Sequence, residues 1–348
     1  MRGCRQCIGN YYCKERLTYL GMTLLVVIIL LALLFDFLNG FHDAANSIAT
    51  VVSTKVLTPA TAVAWAALFN FVSFLIFGPK VAAMVGKGLV DPHIMSLDAV
   101  ACALIGAIII DIITWIWGLP TSSSHALVGG LVGVALVKGG FSAIIGSGMY
   151  KVLIFIVVSP LLGLFLAFFI SSFVEALASR SNPYKMDKLF RRLQFFSSAA
   201  FSIGHGASDA QKTMGIIWMA LLVSNTLPQS AALPYWVVIG CQLAMGLGTL
   251  FGGWRIVKTM GQRITKLRPF EGFCAEMSGA LTLYATILFG IPVSTTHTIT
   301  GAVVGVGARK RFSAVRWGVT LNIVWAWILT IPISAGISAI CYEISRLF

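Results

Sequence analysis

Long apolar runs, separated by short polar stretches, dominate the pattern of the chain. Eight of them approach or exceed the roughly 20 residues with which an α-helix crosses the hydrocarbon core of a bilayer. They are residues 17–38, 59–77, 97–117, 152–177, 195–223, 236–254, 272–289 and 315–344. The pattern predicts an all-α polytopic membrane protein. The first run lacks a small-residue cleavage site, so we expect it to be retained rather than removed as a signal peptide.

Two shorter apolar runs, 121–137 and 293–307, differ from the others. Both are rich in glycine, follow a proline and begin near hydroxyl residues. Non-helical backbone at membrane depth is tolerated only where protein or a water-filled cavity covers it. We therefore expect these runs to be half-helices in re-entrant hairpins.

Two polar motifs interrupt the apolar runs, and each occurs once in each half of the chain, in the same order. The first reads NGFHDAAN at 39–46 and HGASDAQK at 205–212, and the second reads GLPTSSSH at 118–125 and GIPVSTTH at 290–297. Asp43 and Asp209 are 166 positions apart, so the duplication spans about half the chain. Broken helices in duplicated halves are typical of secondary transporters with inverted-topology repeats. The prediction is a tail at 1–16, a first repeat at 17–177, a linker at 178–193 and a second repeat at 194–348.

Composition supports the membrane prediction independently. Hydrophobic residues make up 58% and charged residues 11% of the chain, whereas soluble domains have about 25% charged residues. The net charge of +13 comes from basic residues in loops rather than on an aromatic-rich surface, which excludes a nucleic-acid partner. The linker is strongly basic and is expected to be cytoplasmic, whereas the side of the tail stays open. Cys4, Cys7 and Cys13 in the tail lack the fourth ligand of a typical zinc site.

Asp43 and Asp209 are the central candidates for ion binding. An ionisable side chain at membrane depth is costly unless it is paired or faces a wet cavity. Each aspartate lies three residues after a glycine, in a segment that we expect to break its helix. Carboxylate, amide and free carbonyl oxygens suit small cations. The sequence predicts a cation site in each repeat.

The hydroxyl residues that follow Pro120 and Pro292 are candidates for anion binding. The first N–H groups of a helix have no intrahelical partner, and the positive end of the helix dipole favours an anion. Two such helix starts that face each other would surround a tetrahedral oxyanion. The alternative is that these hydroxyls are ordinary N-caps, but their duplication favours the anion site. His125 and His297, which end the motifs, are either proton-linked or core residues.

The four motifs together resemble the inorganic phosphate transporter (PiT) family, whose members are symporters of phosphate with sodium or protons. The resemblance covers about residues 20–345. It implies an inverted-repeat carrier that forms a homodimer in the cell inner (plasma) membrane, with phosphate between the acidic and hydroxyl motifs. The implied phosphate ligands are Ser122, Ser123, Ser124, Ser294, Thr295 and Thr296. The implied cation or proton coupling residues are Asp43, Asn46, Asp209, Gln211 and Glu276.

This chain departs from the family pattern at two places. Many members have Asn before the motif aspartate, but here His42 and Ser208 stand there, and His42 resembles the bacterial proton-linked branch. We therefore expect His42 to take part in proton coupling; with sodium as the alternative, Asp43, Asn46 and Asp209 would be the metal ligands. Lys212 replaces the counterpart of Asn46, so the two cation sites need not be equal and Lys212 is a candidate internal cation.

Two other functions compete with phosphate symport. A sulfate permease of the same fold would also bind a tetrahedral anion, but sulfate at neutral pH cannot donate a hydrogen bond to the paired aspartates. An intramembrane hydrolase with Ser124 and His125, or Thr296 and His297, is disfavoured because adjacent helical residues do not face each other. We expect no enzymatic activity and no cofactor. The co-transported ion is a proton or sodium, and the cargo is free phosphate or a divalent metal–phosphate complex.

Overall fold

The computed structural model describes residues 2–347, with side chains for residues 21–347. The described residues form twelve α-helices and no strand, which confirms the all-α prediction. The helices are α1 (Arg2–Ser53), α2 (Pro59–Val72), α3 (Lys80–Lys87), α4 (Leu97–Trp117), α5 (Ser123–Gly139), α6 (Gly146–Ala178), α7 (Pro183–Val223), α8 (Tyr235–Phe251), α9 (Trp254–Lys258), α10 (Pro269–Leu288), α11 (Thr295–Lys310) and α12 (Trp317–Ser345). Cys4, Cys7 and Cys13 lie outside the described side chains.

Several helices are suited to span a membrane. Five are long and apolar enough: Gly21–Ser53, Leu97–Trp117, Ser123–Ala143, Gly146–Ala178 and Trp317–Ser345. Two further pairs pass the same test when each is taken as one broken span, with bends of 82° between α2 and α3 and 62° between α8 and the segment that begins with α9. The chain is a multi-pass membrane protein with broken helices.

The acidic motifs do not break their helices, contrary to our expectation. α1 continues through 39–46 and α7 continues through 205–212. Neither motif contains proline, and their glycines serve close helix packing instead. A Cβ on Gly40 would collide with the backbone carbonyl of Met245 on α8, and one on Gly206 would collide with that of Asn70 on α2. Any cation site at Asp43 or Asp209 is therefore built from side chains rather than from unwound carbonyls of these motifs.

The hydroxyl motifs do contain breaks. α4 is followed by Gly118 with φ +66°, and α10 is followed one residue later by Gly290 with φ +67°; glycine adopts this left-handed conformation without steric cost. The chain then stays non-helical until α5 and α11 begin. Pro120 and Pro292 lack a backbone N–H and disfavour helix for the residue before them. Each break therefore lies at the proline that predicted it.

The helices pack in a reciprocal pattern that matches the duplication. α5 lies against α4 and α12, and α11 lies against α10 and α6. In the same way α1 packs on α8 and α7 packs on α2. The start of α11 thereby contacts Asn46 near the end of α1 and Asp209 on α7, and the start of α5 contacts Lys212 on α7. The opposite orientation of the two repeats and the re-entrant course of α5 and α11 stay predictions.

The predicted linker at 178–193 is mostly helical. α6 ends at Ala178, and Asn182 caps the next helix by accepting a hydrogen bond from the Tyr184 N–H at 2.9 Å. The remainder of the predicted linker forms the first turns of α7. Its basic residues are exposed or partly exposed there, in keeping with a membrane-flanking segment.

Candidate functional site

The two acidic motifs and the two hydroxyl motifs meet in one buried cluster. Asn46 on α1 donates from Nδ2 to Thr296 Oγ1 at 2.9 Å and to Thr295 Oγ1 at 3.2 Å. Thr295 Oγ1 in turn donates to Asp209 Oδ2 on α7 at 2.8 Å. Residues that are 86 to 250 positions apart in the chain are thus joined by direct hydrogen bonds. We name this assembly the motif cluster; it comprises the polar side chains of 42–46, 205–212, 122–125 and 294–297.

Lys212 connects the second acidic motif with both hydroxyl motifs. Its ammonium forms a salt bridge with Asp209 and donates to Ser124 Oγ. It also donates to the Val293 carbonyl at 2.7 Å. The side chain is 2% exposed, so this charge is fully removed from solvent and is satisfied within the protein.

Each motif aspartate has a histidine beside it. His42 Nδ1 lies 2.8 Å from Asp43 Oδ1, and its Nε2 lies 3.3 Å from Thr114 Oγ1. On the other side, His205 Nε2 lies 3.2 Å from Asp209 Oδ2, and its Nδ1 faces Ser47 Oγ at 3.2 Å. All of these groups are buried. In each pair an imidazole nitrogen thus lies within 3.2 Å of a carboxylate oxygen.

Three side chains of the motif cluster are arranged as a cation would need them. Asp43, His205 and Asp209 each offer a ligand atom, and these atoms all lie within 4.8 Å of one another. The Asn46 Oδ1 atom is buried without a hydrogen-bond partner and adds a further oxygen donor from the same motif. Two carboxylates, an amide oxygen and an imidazole fit a small cation.

The starts of α5 and α11 supply donors for an anion. Ser122 and Ser294 are N-caps, because each hydroxyl accepts a hydrogen bond from the N–H of the residue three positions later at 3.2 Å. The N–H groups of the two residues that follow each cap have no intrahelical acceptor. Ser123 is 1% exposed, and its Oγ atom has no partner. The capping alternative thus holds for Ser122 and Ser294, whereas the two hydroxyls that follow each cap face the cluster or neighbouring helices.

Two predicted coupling residues make their hydrogen bonds elsewhere. Gln211 accepts from the Val81 N–H at 2.9 Å and donates to the Gly78 carbonyl at 3.1 Å, so its amide holds the broken span between α2 and α3. Glu276 lies on α10 and is fully buried. Its carboxylate accepts from Thr50 at 2.6 Å, Ser197 at 2.5 Å and Gln194 at 3.0 Å. Glu276 thus forms a separate polar centre between α1, α7 and α10.

Other buried polar groups surround the cluster. His125 and His297 contact each other edge to face with ring centroids 4.4 Å apart, and His297 stacks on Trp327 at 3.7 Å, so both histidines have a packing role. Asp36 is 0% and Asp111 is 3% exposed. Both acids are therefore within the helical core rather than at its surface.

His205 was not among the residues predicted to bind ions. The sequence contains the signal that identifies it, because His205 begins the second acidic motif and precedes Asp209 by four residues. Positions i and i+4 lie on the same face of a helix. The contacts of His205 with Ser47 and Asn70 connect three helices and were not predictable from spacing alone.

The fold and the site are typical of membrane transporters. Several apolar helices that could span a bilayer surround a buried cluster of groups that could bind ions. Residues 39–338 match the model of the phosphate transporter family. A probable low-affinity inorganic phosphate transporter of Rhizobium meliloti is 57% identical, over 93% of this chain and 97% of that protein. Its counterpart in Bacillus subtilis is 43% identical over the same shares. The chain belongs to the phosphate transporter family.

A solved structure agrees with this assignment. The chain is similar to a structure described as the sodium-dependent phosphate transporter, with a TM-score of 0.85 and 26% identity. The match covers 94% of this chain and all of that chain. The family and the relatives are transporters and not enzymes, which confirms that expectation and excludes the hydrolase alternative.

Proposed function

We propose that this protein is a secondary active symporter that moves inorganic phosphate across the membrane together with a proton. One observation carries the proposal: both hydroxyl motifs and both acidic motifs converge in a single buried cluster. The names of the similar proteins support phosphate as the anion. Sulfate is disfavoured by the same geometry, because two buried carboxylates adjoin the hydroxyls.

Phosphate would bind between the starts of α5 and α11. The hydroxyls of Ser123, Ser124, Thr295 and Thr296 and the free N–H groups of both helix starts would donate to its oxygens. Thr295 and Thr296 donate to Asp209 and Asp43 in the structure, so both hydroxyls would turn from the carboxylates to the phosphate as it binds. A partly protonated phosphate carries its own O–H donors, and these would pair with Asp43 or Asp209. Sulfate has no such donor and would place an acceptor against a carboxylate.

The proton would be taken up at the His42–Asp43 pair. Their contact at 2.8 Å in a buried environment gives a proton two adjacent acceptors, and the Thr296 hydroxyl at 3.5 Å from Asp43 connects the pair to the anion site. Release of phosphate would follow deprotonation, since the unbalanced carboxylate repels the anion.

Sodium is the second candidate for the coupling ion, and a specific observation favours it. Asp43, His205 and Asp209 converge within 4.8 Å, and the similar solved structure is described as sodium-dependent. In that case Asp43, Asn46 and Asp209 would be sodium ligands.

Whether the coupling ion is a proton or sodium, Glu276 would act as a further acidic group near the site, and Gln211 would position α3 rather than bind the ion. We further propose a plasma-membrane location and a homodimer.

Uptake by proteoliposomes tests the proposal. Phosphate, sulfate and arsenate are offered under a proton gradient without sodium, and then under a sodium gradient with the pH equal on both sides. We expect phosphate and arsenate to accumulate with the proton gradient and sulfate to be excluded. Strict dependence on sodium would overturn proton coupling, and sulfate uptake at the rate of phosphate would overturn the assignment of the anion.

A further inference from the structure

The two acidic motifs are equivalent in sequence position but not in charge. In the register that aligns Asp43 with Asp209, the neutral Asn46 corresponds to Lys212. Asn46 donates to two threonine hydroxyls and keeps an unpartnered buried oxygen. The second motif therefore carries a positive charge at a position where the first carries a candidate cation ligand.

The ammonium of Lys212 is fully coordinated. Its three acceptors are a carboxylate oxygen of Asp209, the hydroxyl of Ser124 and the carbonyl of Val293. An ammonium group has three N–H donors and no acceptor, so the contacts account for all of its hydrogen-bonding capacity. Carboxylate, hydroxyl and carbonyl oxygens are also the ligands that a small hard cation takes in proteins.

The first motif has no such fixed charge. Among the described side chains, no lysine or arginine forms an ion pair with Asp43, whose partners are His42 and the Thr296 hydroxyl. A buried carboxylate without a fixed counter-charge needs a mobile proton or cation when the anion binds. Asp209 needs no mobile cation, because the ammonium of Lys212 is a counter-charge that is covalently part of the protein.

We infer that the Lys212 ammonium is a tethered counter-cation that permanently fills a second cation position at Asp209 Oδ1. Each phosphate then moves with one mobile cation, bound at Asp43 on the side of Asp209 Oδ2 that faces His205. The inference rests on the proposed symport. It makes Lys212 the residue that sets how many ions are coupled to transport.

The test compares the wild type with Lys212→Asn, which restores the residue of the first motif. Both are reconstituted with a tenfold sodium gradient, equal pH on both sides and the membrane potential held at zero. Each additional coupled sodium ion raises the accumulation ratio at equilibrium about tenfold. We expect Lys212→Asn to accumulate phosphate about tenfold above the wild type, whichever cation binds at Asp43. Lys212→Met, which fills the space without a charge or an oxygen, is the control and should lose transport.

Equal accumulation ratios for the wild type and Lys212→Asn would overturn the inference. Removal of the ammonium leaves Asp209 without its partner, so the variant is purified in sodium and in choline, and its melting temperature is measured in both. We expect sodium to stabilise Lys212→Asn more than the wild type. Failure of the variant to fold in sodium would also overturn the inference. Failure of the wild type to take up phosphate under any gradient would instead refute the proposed symport.

Discussion

Substitution of Thr295 by valine tests the anion site with little change in shape. Thr295 is 1% exposed and joins both acidic motifs, since it accepts from Asn46 at 3.2 Å and donates to Asp209 at 2.8 Å. Valine keeps the branched shape and removes the hydroxyl. Asp209 retains Lys212 and His205 as partners, and Asn46 retains Thr296, so we expect the fold to survive.

The expected loss in phosphate affinity follows from the value of one hydrogen bond to a charged group. Such bonds contribute about 1.5–3 kcal/mol, and each 1.4 kcal/mol is roughly a factor of ten in affinity. Thr295→Val should therefore weaken phosphate binding by about 10- to 150-fold. Equilibrium binding of radiolabelled phosphate to the purified protein measures this change directly.

Thr298 provides the matched control. It lies one turn further along α11 and donates to the Ser294 carbonyl of its own helix at 3.0 Å, so Thr298→Val removes a hydroxyl that is not available to the anion. We expect its affinity for phosphate to stay within about threefold of the wild type, because the hydrogen bond that it loses runs from a side chain to the backbone of the same helix. Equal affinities for Thr295→Val and Thr298→Val, with both proteins folded, would refute the placement of phosphate at the start of α11.

Three further substitutions, the last with a matched control, test the coupling residue, the buried polar centre and the packing of α1. Asp43→Asn should abolish accumulation of phosphate against a gradient while the protein is still expressed, because an amide cannot take up a proton; accumulation at the wild-type level would make Asp43 structural. Glu276→Gln replaces an acceptor of three hydrogen bonds with a group that must donate one, so uptake and melting temperature should both fall, whereas an unchanged melting temperature would contradict the role of this polar centre. Gly40→Ala should cost about 1–3 kcal/mol of stability by overpacking against α8, and Gly240→Ala, where an added methyl group meets only an ordinary contact, should be tolerated. Equal melting temperatures of the two alanine variants would disprove the close approach at Gly40.

Much of the fold was predictable because its signals are local. Apolar run length gave most helices, and the prolines at 120 and 292 gave the breaks before α5 and α11. The course of α1 and α7 was predicted wrongly, since the glycines at 40 and 206 were interpreted as helix breakers. Their function depends on which helix lies opposite, and that information is not present in the motif itself.

In the candidate site, too, some features were predictable from the local sequence and others depend on how the helices pack. Asp43, Asp209 and the paired hydroxyls were identifiable from their repetition, and the structure brings them into contact. The structure also separates residues that the motifs had grouped: Gln211 is next to the second acidic motif in sequence, but its amide binds the backbone of α3. Whether a polar residue on α7 faces the cluster or a neighbouring helix depends on its angular position and on the packing of α2 and α3.

Location of the bound anion is the most direct test of the central claim, that phosphate binds where the four motifs meet. Arsenate has the tetrahedral shape and charge of phosphate, and its anomalous scattering identifies it in a crystal. We predict one arsenate peak within hydrogen-bonding distance of the hydroxyls at the starts of both α5 and α11. A peak elsewhere, for example in the cavity beside Gln211 and Gln242 at the break between α2 and α3, with none in the motif cluster, would contradict the account.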